Sequence, residues 1–122
     1  MKIVDANIIL RYLLNDNNEL SRKAADILEK DEVFIPNEVI AEIVYVLQKV
    51  YKVENDEISD ILLGLFQYGN LNVYNVDVVR EALNVFARKN IYFVDTLLFA
   101  YHKILGYDVC TFDKKLNKLF KN

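Results

Sequence analysis

Short apolar runs alternate along this chain with stretches in which apolar residues recur every three or four positions. The runs are Ile3-Val4, Val33-Phe34-Ile35, Leu71 to Tyr74 and Val109-Cys110. Strand-length segments that alternate with helix-period segments predict an α/β fold: a parallel β-sheet flanked by helices. Only three Gly and one Pro occur, which disfavours a turn-dense β-sandwich. With 122 residues, 53% hydrophobic and 27% charged, the chain has material for one core, so residues 1–122 are expected to form one domain. No repeat, low-complexity tract or linker interrupts it.

The first strand, from Lys2, ends in the acid Asp5, and Asn7 is placed to cap the helix carrying Ile8, Ile9, Tyr12 and Leu13. After a polar break at Asn15 to Asn18, a second helix runs to about Lys30. Val33 to Ile35 forms strand two, closed by Pro36, which has no N–H to give a ladder. Ile40, Ile43, Val44, Leu47, Val50 and Tyr51 mark the clearest helix. A fourth helix starts at Asn55-Asp56-Glu57, and Gly69-Asn70 turns into a third strand. Val78, Val79, Ala82, Leu83 and Phe86 stripe a fifth helix. The segment from Val94 to Leu105 is nearly apolar and predicts a deeply buried helix, capped at Gly106. Asp108 to Thr111 predicts a fourth strand, with Cys110 as a small buried hydrophobe. Asp113 to Phe120 reads as a terminal turn or short helix.

Several functions are excluded by composition. A single cysteine and a single histidine, Cys110 and His102, cannot build a thiolate or imidazole metal cage. Any metal must be held by oxygen, which selects a hard cation such as Mg²⁺ or Mn²⁺. A net charge of −3 argues against gripping nucleic acid by bulk electrostatics, but leaves room for a local basic rim. No apolar run approaches the roughly 18 residues of a membrane span. The N-terminus shows no leader pattern, so a cytoplasmic protein is expected.

Acids stand where a core-building sequence would not put them. Asp5 ends strand one, Asp95 interrupts the apolar stretch from Tyr92 to Ala100, and Asp113 follows the last predicted strand, Asp108 to Thr111, by two residues. In a parallel sheet the C-terminal strand ends share one edge, and ligands bind there. Asp5 and Asp113 are expected at that edge, with Asp95 and Glu42 facing it from their helices. Four converging carboxylates repel unless a cation neutralises them. A divalent ion with open positions can assist hydrolysis of a phosphoester. Each acid also has a structural alternative: Asp5, Asp95 and Asp113 as helix caps, and Glu42 as a solvated residue paired with Lys49 or with nothing. Glu38, one turn before Glu42, is read as solvated.

With these positions in hand, the chain resembles the PIN-domain family, and within it the VapC-type toxins. The resemblance is carried by "VDANIILRYLLND", "IPNEVIAEIVYVLQKVY", "YFVDTLLFAYHKILGYDV" and "CTFDKKLNKL", whose order and spacing span nearly the whole chain. It implies a Mg²⁺- or Mn²⁺-dependent endoribonuclease. Asp5, Glu42, Asp95 and Asp113 match the family's four acids, and Asn7 and Thr111 match its supporting polar positions. It also implies an RNA substrate, a cognate antitoxin protein and a homodimer. Ala6 departs from the Thr or Ser that many members carry there.

Lys114, Lys115, Lys118 and Lys121 lie beside Asp113, and the first three are candidate phosphate-steering residues. His102 is expected to pack on a helix face. Most of the eight Tyr and seven Phe are expected in the core. Two other functions compete: a housekeeping PIN nuclease in RNA maturation, and a non-catalytic receiver-like module with an acidic pocket. The receiver reading lacks a second acid beside Asp5. An inactive scaffold is disfavoured by the complete acid set.

Overall fold

The computed structural model describes residues 1–121. Three parallel strands, β1 (Lys2–Ile3), β2 (Val33–Ile35) and β3 (Leu71–Val73), form a sheet in the order β1-β2-β3. Lys2 pairs with Val33, and Val33 with Leu71. Parallel neighbours cannot be joined by a tight turn, so helices carry the chain back each time. Helices α1 (Ala6–Leu14) and α2 (Asn18–Lys30) connect β1 to β2. Helices α3 (Asn37–Lys49) and α4 (Asn55–Leu65) connect β2 to β3. Then come α5 (Val76–Arg88), α6 (Phe93–Leu105) and α7 (Lys114–Lys121).

The central strand is fixed by burial: Val33 and Ile35 are fully buried. Around them the α3 stripe of Ile40, Ile43, Val44 and Leu47 meets Ile58 and Leu62 of α4 and Val78, Val79, Ala82, Leu83 and Phe86 of α5. Burying each such side chain stabilises by about 1.5–3 kcal/mol, and these few residues set the rotation of every helix. The Asn70 side chain donates to the carbonyls of Leu28 (2.6 Å) and Asp31 (2.9 Å), tying the end of α2 to the entry of β3. Gly106 ends α6 in the left-handed conformation, at φ 77°, which only glycine adopts without cost.

A separate small cluster holds the C-terminus. Leu116 and Leu119 of α7 pack with Val85, Ile91, Leu98, Phe99 and Phe120. His102 packs edge-on against Phe120, with ring centroids 5.1 Å apart, and its Nδ1 lies 2.8 Å from the Tyr107 carbonyl oxygen. His102 thus packs on a helix face, as the sequence predicts.

Five expectations are corrected here. Asp108 to Thr111 is not a strand, and β1 keeps an open edge on which Ile3 is exposed. Alternation in that run offers only one apolar residue to each face. The Leu116, Leu119 and Phe120 face of α7 buries more, and it docks on α5 and α6. As a consequence Cys110 is exposed, not buried. Helix α6 is not buried all round: Phe93, Thr96, Leu97 and Ala100 face inward, while Val94 and Ile104 are exposed. None of the tyrosines is fully buried, because aliphatic side chains fill the core and the hydroxyls stay at the surface. Finally, Asp5 and not Asn7 caps α1; Asn7 is an exposed residue within the helix.

Candidate functional site

The four acids are placed differently by the elements that carry them. Asp5 sits between β1 and α1, and its Oδ1 accepts from the Ile8 N–H at 3.2 Å. Asp113 precedes α7, and its Oδ1 accepts from the Leu116 N–H at 2.9 Å. Both therefore cap helices, a role worth about 1 kcal/mol each. A capping carboxylate uses one oxygen and keeps the other, so capping does not exclude a second role.

Asp95 has no such structural task. It lies in the first turn of α6, whose N-cap residue is Tyr92, with no side-chain cap. Among the described residues its carboxylate makes no ion pair. It faces a cavity of about 210 Å³ lined by Gln48, Lys49, Asn90, Ile91, Tyr92, Asp113 and Lys115. Burial holds the Asp95 carboxyl above the usual carboxylate range, and the nearby charge of Asp113 raises it further. The N-terminus of α6 pulls the other way, since it favours a negative charge, but burial and the like charge prevail.

Glu42 stands apart from this pair. It is exposed on the α3 face that also carries Glu38 and Lys49. Seven residues of helix, about 10 Å along the axis, separate it from Lys49 at the cavity wall. The Glu42–Lys49 ion pair does not form. Among the described residues, no three His, Cys, Asp or Glu side chains come together as a metal-binding group. The structure brings Asp95 and Asp113 together, and does not gather Asp5 and Glu42 with them.

The supporting residues divide as well. The Thr111 hydroxyl accepts from the Asp113 N–H at 3.0 Å, and its carbonyl accepts from the Asn117 side chain, so it shapes the turn presenting Asp113. Lys115 lines the acid cavity. Lys118 lines the adjoining hollow, and Lys114 is exposed and lines neither. Sequence reasoning missed Gln48, Lys49, Asn90 and Tyr92 on the cavity wall. Lys49 was detectable in principle, because it shares a helix face with Glu42 at seven-residue spacing.

Two carboxylates lining one cavity offer oxygen donors, which suit a hard divalent cation. Mg²⁺ in particular is commonly held by one or two carboxylates, with waters and substrate phosphates completing its sphere. The residues present therefore fit such an ion at Asp95 and Asp113.

The charge of Asp95 has a consequence for stability. A raised carboxyl pKa means that the folded chain keeps a proton that the unfolded chain releases. Stability therefore falls as pH rises through and above the ordinary carboxylate range, and the penalty vanishes below about pH 4. In EDTA, Asp95→Asn is expected to melt above wild type at pH 7. The difference should close as the pH drops to 3.5. A gain of equal size at both pH values would show that the carboxylate charge is not its cause.

The PIN domain family model matches residues 2–121, and the chain belongs to that family. It is 27% identical over 124 residues to the VapC ribonuclease of Aquifex aeolicus (strain VF5), covering 98% of this chain and 92% of that protein.

Proposed function

We propose that this protein is a VapC-type toxin, a divalent-metal-dependent endoribonuclease that hydrolyses RNA phosphodiester bonds. The observation that carries the reading is the Asp95–Asp113 pair facing one hollow, with Lys49 and Lys115 in its walls, in a chain of this family. Asp5 and Glu42 complete the proposed acid set, and Mg²⁺ or Mn²⁺ is the proposed cofactor. A cognate antitoxin protein and a homodimer belong to the same reading.

Each residue has a task that its position suits. Asp95 and Asp113 hold the cation, and Thr111 fixes the turn from which Asp113 projects. A cation held there would supply positive charge against the phosphate and would lower the pKa of a water toward neutrality. Lys115 and Lys49 attract the phosphate into a site that its carboxylates alone would make repulsive. Tyr92, 74% exposed on the same wall, offers a ring face to a base. Among the described residues no helix is long and apolar enough to cross a membrane.

Incubation with total RNA in Mn²⁺ or Mg²⁺ is the test. Discrete cleavage products that disappear with EDTA are expected, and intact RNA in every divalent metal would refute the reading. In the same assay, under single-turnover conditions, Glu42→Gln is expected to slow cleavage at least about tenfold, roughly 1.4 kcal/mol of barrier. Glu38→Gln should stay within about twofold, because a first-turn acid contributes only about 0.3–1 kcal/mol, and that to stability. Both side chains are exposed on one face, so their burial does not separate them. A slower Glu38→Gln enzyme would reassign the second acid.

A further inference from the structure

We propose that the hollow lined by Lys89, Asn90, Ile91, Lys115, Lys118 and Leu119 is a second phosphate subsite, which receives the RNA phosphate adjacent to the one at Asp95 and Asp113. The proposal rests on the ribonuclease reading and extends it to the path of the substrate.

The hollow has a volume of about 290 Å³. It shares Asn90, Ile91 and Lys115 with the acid cavity, so the two sites have a common wall. Its three lysines come from two elements. Lys89 follows α5, while Lys115 and Lys118 stand one turn apart on α7. Among the described residues none of the three forms an ion pair. The chain as a whole carries a net charge of −3, so this concentration of positive charge is local and not a reflection of composition.

Three ammonium groups around one hollow repel one another until an anion enters. A polynucleotide cut at one phosphate carries another phosphate on either side of the cut, and one of them must fall beside the acid pair. This hollow is the basic one that adjoins the pair. Ile91 and Leu119 give it an apolar floor that suits a ribose or the edge of a base. The substrate is therefore gripped at two successive phosphates, one over the carboxylates and one among the lysines.

Binding of a labelled single-stranded RNA of a dozen nucleotides to the Asp95→Asn protein, over a range of salt in Mg²⁺, tests this without cleavage. Adding Lys89→Ala and Lys118→Ala is expected to weaken binding about tenfold at 0.1 M salt. It should also flatten the dependence of log Kd on log salt by about 0.7, the value of one phosphate contact on a single strand. Arg22→Ala with Lys23→Ala, exposed on α2 and outside both hollows, should leave the slope unchanged. Thermal melts of each variant establish that it is folded, and Lys118→Gln replaces Lys118→Ala if it is not. An unchanged slope in the Lys89/Lys118 variant overturns the subsite, as does an equal flattening in the α2 control. Equal loss of binding to RNA and to polyglutamate of the same length overturns its assignment to RNA. Wild type that cleaves no RNA in any divalent metal strikes the ribonuclease reading instead, and is scored separately from the slope.

Discussion

Asp95→Asn is expected to lower RNA cleavage by at least about 100-fold, roughly 2.7 kcal/mol of transition-state stabilisation, while leaving the fold intact. The amide is nearly the same size as the carboxylate. It loses no cap, because the Asp95 side chain caps nothing. It also removes the charge that Asp113 opposes, so the metal-free fold gains. Metal-free stability is expected to rise in either case, so activity separates a structural role from a catalytic one. If Asp95 only tunes α6, activity survives. If it binds the cation, activity collapses. Single-turnover cleavage and a melting curve on one preparation decide the matter. Activity within about threefold of wild type would remove Asp95 from the mechanism. Asp5→Asn and Asp113→Asn are natural companions, because Asn caps as well as Asp and the Ile8 and Leu116 N–H groups keep their acceptors.

The helices were legible because each buries one stripe against a common sheet, which imposes a period on the sequence. The α5 stripe from Val78 to Phe86 is buried as read, and so is the α3 stripe from Ile40 to Leu47, but Val50 and Tyr51, read as its continuation, lie beyond α3 and are exposed. Strand β2 was legible for the related reason that Val33 and Ile35 are fully buried in the core. The segment from Asp108 to Thr111 was misread because a four-residue run with one β-branched apolar residue carries almost no period. Its fate depends on whether β1's edge or the α5–α6 surface offers the better burial, and that competition is tertiary. The α6 segment misled through composition. Its apolar residues are more numerous than one stripe requires, and the surplus, Val94 and Ile104, is left exposed.

The site was legible as chemistry and less so as geometry. Oxygen-only ligation followed from having one Cys and one His. Asp95 and Asp113 are expected together with Asp5 and Glu42 at one sheet edge; the structure brings the first two to one cavity, although the fourth strand on which that expectation partly rested does not form. Asp5 was weighed both as a cap and as an acid of the set, and its capping hydrogen bond to Ile8 satisfies the first role without using its second oxygen. The cavity wall was not legible. Gln48, Asn90 and Tyr92 come from the end of α3 and the α5–α6 connection, and only packing brings them beside Asp95.

Metal binding should show itself in stability before any RNA is added. A ligand that binds only the folded chain, at about 100 times its Kd, stabilises by about 2.7 kcal/mol. For a domain of this size that corresponds to a rise in melting temperature of the order of 10 °C. With Mn²⁺ or Mg²⁺ at pH 8 this rise is expected for wild type, because a cation relieves the repulsion between the Asp95 and Asp113 carboxylates. At pH 4 the rise should shrink, since the proton held by Asp95 competes with the metal. Asp95→Asn with Asp113→Asn should show a high melting temperature without metal and almost no further rise with it. Asp5→Asn and Glu42→Gln extend the same measurement to the remaining acids. A reduced rise in both assigns all four carboxylates to the ion, whereas a full rise restricts the ion to the pair. An equal metal-induced rise in wild type and in the Asp95/Asp113 double variant would place the ion elsewhere and withdraw the acid pair as its site.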